Sequence, residues 1–114
     1  MSSVRIRMSY IPEVSKNSCK FRTGGIKPKV RWWMKDLASK VSAANIPSSK
    51  NYVVGICGHF RDERRPDIPN FFDIVLDAVQ DGLGVNDKFF RARDDGYETG
   101  YLKQELIITV EGVQ

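Results

Sequence analysis

The alternation of apolar and polar residues along the chain predicts four strands. Residues 4–10 (VRIRMSY) alternate in the manner of a strand with one buried face. Residues 52–60 (YVVGICGHF) are apolar at odd and even positions alike, which predicts a central strand covered on both sides. Residues 89–93 are expected to form a third strand, joined by a turn at residues 96–100 to a last strand. That last strand is marked by Leu102, Leu106, Ile108 and Val110.

Two segments have the 3.6-residue period of amphipathic helices. The first begins at Pro28, which suits a first helical turn, and ends near Pro47. Its apolar stripe consists of Val30, Trp33, Met34, Leu37, Val41 and Ala44. Trp33 is expected in the core, whereas Trp32 lies at the edge of the stripe, where an interface or a DNA-stacking role stays open. The second helix buries Phe71, Phe72, Val75, Leu76 and Val79 and ends at Gly82.

This pattern predicts one α+β domain over residues 1–114, in the order β-α-β-α-β-β, with a mixed sheet and two helices. Residues 11–27 have no apolar period and contain a Gly24-Gly25 pair, so we expect a long, mobile, basic loop. Compact domains rarely keep a structureless loop of that length unless it binds something.

Charge is divided unevenly between the two halves of the chain. Residues 1–61 contain 12 Lys and Arg against 2 acids, and residues 62–114 contain 6 against 12. The stretch 16–35 holds seven cations and no acid. Two interpretations stay open: the halves hold an acidic polymer and a divalent cation separately, or they face each other across the fold.

Other features exclude several classes of protein. The N-terminus has no apolar export signal, and no apolar run is long enough to span a membrane. Cys19 and Cys57 lack metal-site spacing, so we expect free thiols in a cytoplasmic protein. Phosphate-loop, dinucleotide-binding and GxSxG motifs are absent, and no nucleotide cofactor is expected. The one histidine, His59, is read as structural or as a general base.

Carboxylates recur through the second helical segment. Asp73, Asp77 and Asp81 stand in one row at i, i+4 and i+8, which describes either a solvated face or part of a site. Asp67 suits a helix N-cap, with Pro69 in the first turn, and Asp87 follows in a loop that can fold back. Oxygen ligands of this kind suit Mg²⁺, and the adjacent Arg64 and Arg65 would bind phosphate.

The chain resembles a known family at these residues. Residues 59–70 (HFRDERRPDIPN), 75–78 (VLDA) and 86–87 (ND) are similar to the RusA family of Holliday-junction resolvases, small bacterial and phage endonucleases. The likeness covers most of the chain, because family members also open with a strand, a basic loop, a glycine-containing segment and a tryptophan-bearing helix. These compare with Pro12, Asn17, Gly24-Gly25 and Trp32-Trp33.

The resemblance implies a Mg²⁺-dependent homodimer, with Mn²⁺ as an alternative metal, that cuts four-way or other branched DNA by paired nicks. It places the first catalytic aspartate on Asp67, the motif asparagine on Asn70 and the later essential aspartate on Asp87. Asp77 matches the aspartate of the Leu-Asp-Ala segment as a supporting residue. The DNA-contacting cations would be Arg64, Arg65, Lys16, Lys20, Arg22, Lys27 and Lys29.

Two departures from the family pattern affect the site. Pro69 replaces the second catalytic aspartate, and Asp73 replaces the motif lysine. Because Asp73 restores a carboxylate about one helical turn further on, we hypothesise a cation site of Asp67, Asp73 and Asp87, supported by Asn70. The alternatives are a degenerate relative that only binds branched DNA and an unrelated interaction domain with a charged surface.

Overall fold

The computed structural model describes residues 3–113, and over this range the predicted element order is confirmed. The elements are β1 (Ser3–Ser9), α1 (Pro28–Ala43), β2 (Asn51–His59), α2 (Phe72–Leu83), β3 (Phe90–Glu98) and β4 (Glu105–Val113). Short 3₁₀ helices occupy residues 12–14, 68–71 and 87–89. The α+β class and the mixed sheet are confirmed. Neither helix of the described range is long and apolar enough to cross a membrane.

The four strands form one sheet in the order β1-β4-β2-β3. β4 is antiparallel to both β1 and β2, whereas β2 and β3 are parallel. Parallel neighbours need a long crossover, and α2 provides it. The residues between β2 and β3 therefore run from one end of the sheet, across its face, to the other end, and they include every aspartate from Asp62 to Asp87.

The core lies between the two helices and one face of the sheet. Core residues on α1 are Val30, Trp33, Leu37 and Val41, and on α2 they are Ile74, Val75, Ala78 and Val79. The Trp33 prediction is confirmed, and its indole Nε1 donates a hydrogen bond to the Ser9 carbonyl at 2.8 Å. The helices approach closely at Gly82, where an added Cβ would lie 2.6 Å from the Ala38 carbonyl oxygen.

The prediction for β2 is confirmed for one face and corrected for the other. The strand is interior to the sheet, and Tyr52, Val54 and Ile56 are buried in the core. On the opposite face Val53 and Cys57 are only half-buried. A side chain at Gly55 would collide with Asp95 and Arg93. Long side chains of the neighbouring strand thus cover part of this face in place of a second layer.

The ends of the last two strands differ from prediction. β3 continues past Arg93 to Glu98 through a bulge that shifts its register by one residue: Ile56 pairs with Asp94, and Gly58 pairs with Tyr97. Gly96, expected in a turn, supplies the extra residue of the bulge at φ 83°. Leu102, expected to start the last strand, is 88% exposed and precedes β4.

Residues 11–27, which we call the basic segment, have more local structure than predicted. Val14 and Cys19 are buried in the core. Lys20 and Ile26 form an antiparallel bridge, and the Phe21 N–H donates to the Gly25 carbonyl at 2.8 Å. Two apolar anchors and a small hairpin therefore fold this loop back onto the domain, and its mobility stays a prediction. Cys19 and Cys57 are both free thiols.

Candidate functional site

A surface cleft of about 390 Å³ brings together residues from α2, the loop after it and the basic segment. We call it the acidic cleft. It is lined by Lys16, Cys19, Lys20, Ile26, Asp73, Ile74, Leu76, Asp77 and Asp87. Five of the residues predicted for function therefore surround one space: three carboxylates and two lysines.

The acidic wall follows from the geometry of α2 and its end. Asp73 and Asp77 are one turn apart on the helix, so they project in the same direction. Gly84 ends the helix in the left-handed conformation, at φ 70°, and the chain turns back. The Asp87 N–H then donates to Gln80 Oε1 at 2.7 Å, which fixes this loop against α2. Gln80 was not predicted, because no sequence motif distinguishes it from any exposed helical glutamine.

The basic wall is attached to the acidic half through the backbone. The Lys16 N–H donates to the carbonyl of Asn70 at 2.8 Å, which joins the basic segment to the 3₁₀ helix preceding α2. The Lys27 N–H donates to the Cys19 carbonyl at 2.9 Å, closing the segment just before α1. Lys16 and Lys20 therefore face the carboxylates of a different part of the chain.

The electrostatics of the acidic cleft centre on Asp77. Partial burial raises the pKa of this carboxyl, and the charges of Asp87, Asp73 and Asp81 raise it further, whereas Lys20 lowers it. The Asp77 carboxylate is thus repelled by the neighbouring carboxylates, and a bound cation would relieve this repulsion. Asp77 was predicted only as a supporting residue, yet its pKa responds to the charges of Asp73, Asp87 and Lys20 in the same cleft.

The donor set fits Mg²⁺ if the protein supplies few ligands. Within residues 3–113 no three His, Cys, Asp or Glu side chains converge closely enough to form a ready metal site. Mg²⁺ keeps several waters and takes one or two protein carboxylates together with substrate phosphate oxygens. One or two of Asp73, Asp77 and Asp87, each with a carboxylate at the cleft wall, meet that requirement.

Asp67 is placed differently from the other predicted ligands. It occupies the N-cap position of the 3₁₀ helix, but its side chain makes no capping hydrogen bond. Its Oδ1 instead lies 3.3 Å from the NH1 atom of Arg65, and its side chain is 80% exposed. It is not among the residues that line the acidic cleft. Asn70 contributes its backbone carbonyl to the Lys16 contact described above.

Both arginines predicted to bind phosphate already have contacts within the protein. Arg64 forms a two-pronged pair with Asp62, at 3.3 and 2.9 Å. The Arg65 guanidinium stacks on the Tyr97 ring at 3.5 Å from its centroid. Phosphate would therefore have to compete with these contacts.

The remaining predicted DNA contacts and His59 lie outside the cleft lining. Lys29 is 3.7 Å from Glu13, whereas Arg22 and Lys27 form no ion pair within the described residues. His59 is 8% exposed, stacks on Tyr101 at 4.2 Å and lies 3.4 Å from Glu98. These contacts are those of a packed side chain, and the choice between a structural role and a general base stays a prediction.

No protein-family model matches this chain, and no curated protein matches it either. The resemblance to the RusA family therefore rests on the quoted motifs. The class that fold and site define together is a small α+β domain with a carboxylate-lined cleft faced by lysines.

Proposed function

We propose that the protein is a divalent-metal-dependent endonuclease that cuts branched DNA in the acidic cleft. The observation that carries the proposal is the meeting of Asp73, Asp77 and Asp87 with Lys16 and Lys20 around one space. Carboxylates attract a hard cation, and ammonium groups attract the phosphodiester that the cation would act on. A merely solvated acidic face would not need two lysines from a distant segment opposite it.

The side chains divide the work. Asp77 and Asp87, with Asp73 beside them, would hold the cation, and the raised pKa of Asp77 reflects its partial burial first and the crowding of these carboxylates second. Lys16 and Lys20 would position the DNA backbone without reading its sequence. Mg²⁺ or Mn²⁺, when bound, supplies Lewis-acid activation of the phosphate and of a water molecule.

The family motif is the reason to include Asp67, Arg64 and Arg65 in the proposal, because none of them lines the acidic cleft. If DNA displaces Arg65 from Asp67, that carboxylate becomes available for a ligand role, and Arg64 and Arg65 for phosphate contacts. Four-way junctions are the proposed substrate, and a homodimer is the proposed assembly, since two equivalent sites can nick opposite strands.

A synthetic four-way junction tests the proposal. With Mg²⁺, the protein should nick it, and Asp87→Asn or Asp77→Asn should lower the cleavage rate about 100-fold or more while junction binding persists. This magnitude corresponds to the several kcal/mol that a metal ion contributes to a transition state. Binding is measured by fluorescence anisotropy in Ca²⁺, and cutting on denaturing gels.

Asp81→Asn is the matched control, because Asp81 lies one turn beyond Asp77 on α2 but does not line the acidic cleft. It should cut like the unmodified protein. Asp67→Asn distinguishes the family motif, which includes Asp67, from the acidic cleft, which does not. Loss of cutting supports a ligand role for Asp67, and full cutting restricts the metal site to the cleft. Metal-independent junction binding without any nick would indicate a binding protein, and no junction preference at all would indicate an unrelated interaction domain.

A further inference from the structure

α1 presents an unusually exposed aromatic ring. Trp32 is 71% exposed, more than Phe21 at 51%, Phe89 at 40% or Tyr97 at 37%, the other large aromatics exposed in residues 3–113. Its neighbour Trp33 is buried and hydrogen-bonded, so the helix uses one indole for the core and leaves the other in solvent. The exposed indole face is available for stacking against a planar group.

One cation lies over this ring. The Lys35 ammonium lies 5.3 Å from the centre of the Trp32 ring. Lys35 and Arg31 also line a groove of about 600 Å³ between α1 and α2, together with Met34, Ala38, Gly82 and one acid, Asp81. Lys35 therefore connects the ring to the groove. The nearest acid on the helix, Asp36, is engaged by Lys40 at 3.4 Å, one turn further along.

We propose that Trp32 stacks on an unpaired nucleobase while Arg31 and Lys35 hold the adjacent phosphates of the same strand. This inference rests on the proposed function, which makes DNA the ligand. It adds that the protein binds an unpaired nucleotide at a second place, away from the acidic cleft. Charge complementarity selects this occupant, because residues 16–35 contain seven cations and no acid. A flat exposed ring with one lysine over it and Arg31 beside it in the sequence matches a base with its phosphates, and duplex DNA hides its base faces.

Fluorescence separates the two indoles. Trp33→Phe leaves Trp32 as the one reporter, and Trp32→Phe leaves the buried Trp33. Each is titrated with a 12-nucleotide oligothymidine and with an abasic strand of the same length and charge. Thymidine should quench Trp33→Phe and leave Trp32→Phe unchanged, and the abasic strand should quench neither.

Affinity provides a second measurement that does not depend on the Trp33 variant. Trp32→Ala should bind oligothymidine roughly 5- to 140-fold more weakly, the range expected for one stacked base. Trp32→Phe should retain most of the affinity. The dependence of binding on salt should keep its slope in both variants, since no phosphate contact is removed. Leu102→Ala, which alters an exposed side chain outside residues 16–35, is the control and should bind normally.

Failure of the inference is distinguishable from failure of the proposed function. Equal binding of thymidine and abasic strands, or binding of junctions but not of oligothymidine, overturns base stacking while the nuclease proposal stands. Binding of neither junction nor single strand by the unmodified protein overturns both. A Trp32→Ala variant that loses self-association but keeps DNA affinity assigns the surface to a protein contact and also overturns the inference.

Discussion

Replacing Asp77 by asparagine should stabilise the metal-free protein, although it removes a proposed ligand. Asp77 stands one turn from Asp73 and one turn from Asp81 on α2, and no lysine on the helix relieves the repulsion. Like charges at i, i+4 cost about 0.2–0.5 kcal/mol per pair, so the two pairs together amount to about 0.4–1 kcal/mol. For a domain of this size that corresponds to a rise in melting temperature of about 2–5 °C.

The effect has a definite dependence on pH. Because the folded-state pKa of Asp77 is raised, the native protein binds this proton more tightly than the unfolded chain, whose aspartates titrate near a pKa of about 3.9. The penalty is therefore absent below about pH 3.9 and develops as the pH rises through the raised folded-state pKa. The stability difference between Asp77→Asn and the unmodified protein should grow over this window and then level off.

Urea unfolding in a chelating buffer, followed by circular dichroism between pH 4 and pH 7, measures this difference. Asp36→Asn is the matched control of opposite sign: Asp36 is paired with Lys40, so its loss should destabilise by about 0.2–0.5 kcal/mol. Mg²⁺ at ten times its dissociation constant should stabilise the unmodified protein by about 1.4 kcal/mol and Asp77→Asn by less. An Asp77→Asn variant that is less stable than the unmodified protein at pH 7 would refute the reasoning.

Two further predictions concern the core. Gly82→Ala should destabilise the protein by about 1–3 kcal/mol, because the added Cβ would lie 2.6 Å from the Ala38 carbonyl oxygen and the helices must separate. Thermal unfolding measures this loss, and an unchanged melting temperature would contradict the prediction. Trp33→Phe should lower the free energy of unfolding in urea by about 1–3 kcal/mol, since it leaves the Ser9 carbonyl without its indole donor. Trp32→Phe, at an exposed position, is the control, and an equal loss of stability in both variants would argue against the hydrogen bond.

The fold was predictable where periodicity is strong. Both helices and the interior position of β2 followed from their apolar spacing. The bulge in β3 did not, because Gly96 is typical of a turn in sequence terms and only the pairing of Gly58 with Tyr97 shows that it continues a strand. The anchoring of the basic segment did not follow from the sequence either, because Val14 and Cys19 are isolated apolar residues without a period.

The site was partly predictable for a similar reason. Helical spacing placed Asp73 and Asp77 together, and the family motif selected Asp87. No pattern indicated that Lys16 and Lys20 would reach the same cleft, since that contact depends on chain segments more than 50 residues apart. The motif also favoured Asp67 as a metal ligand. In the structure its side chain forms an ion pair with Arg65, and the spacing of residues in the sequence does not reveal such a local pair.

The hydrogen bond from the Lys16 N–H to the Asn70 carbonyl has a consequence for local stability. It joins the two walls of the acidic cleft, so the cleft exists only while the basic segment is docked. Docking is then a local opening equilibrium, superimposed on global unfolding, with its own free energy. Exchange of this one amide hydrogen with solvent reads that equilibrium directly, and a ligand that bridges both walls must slow it.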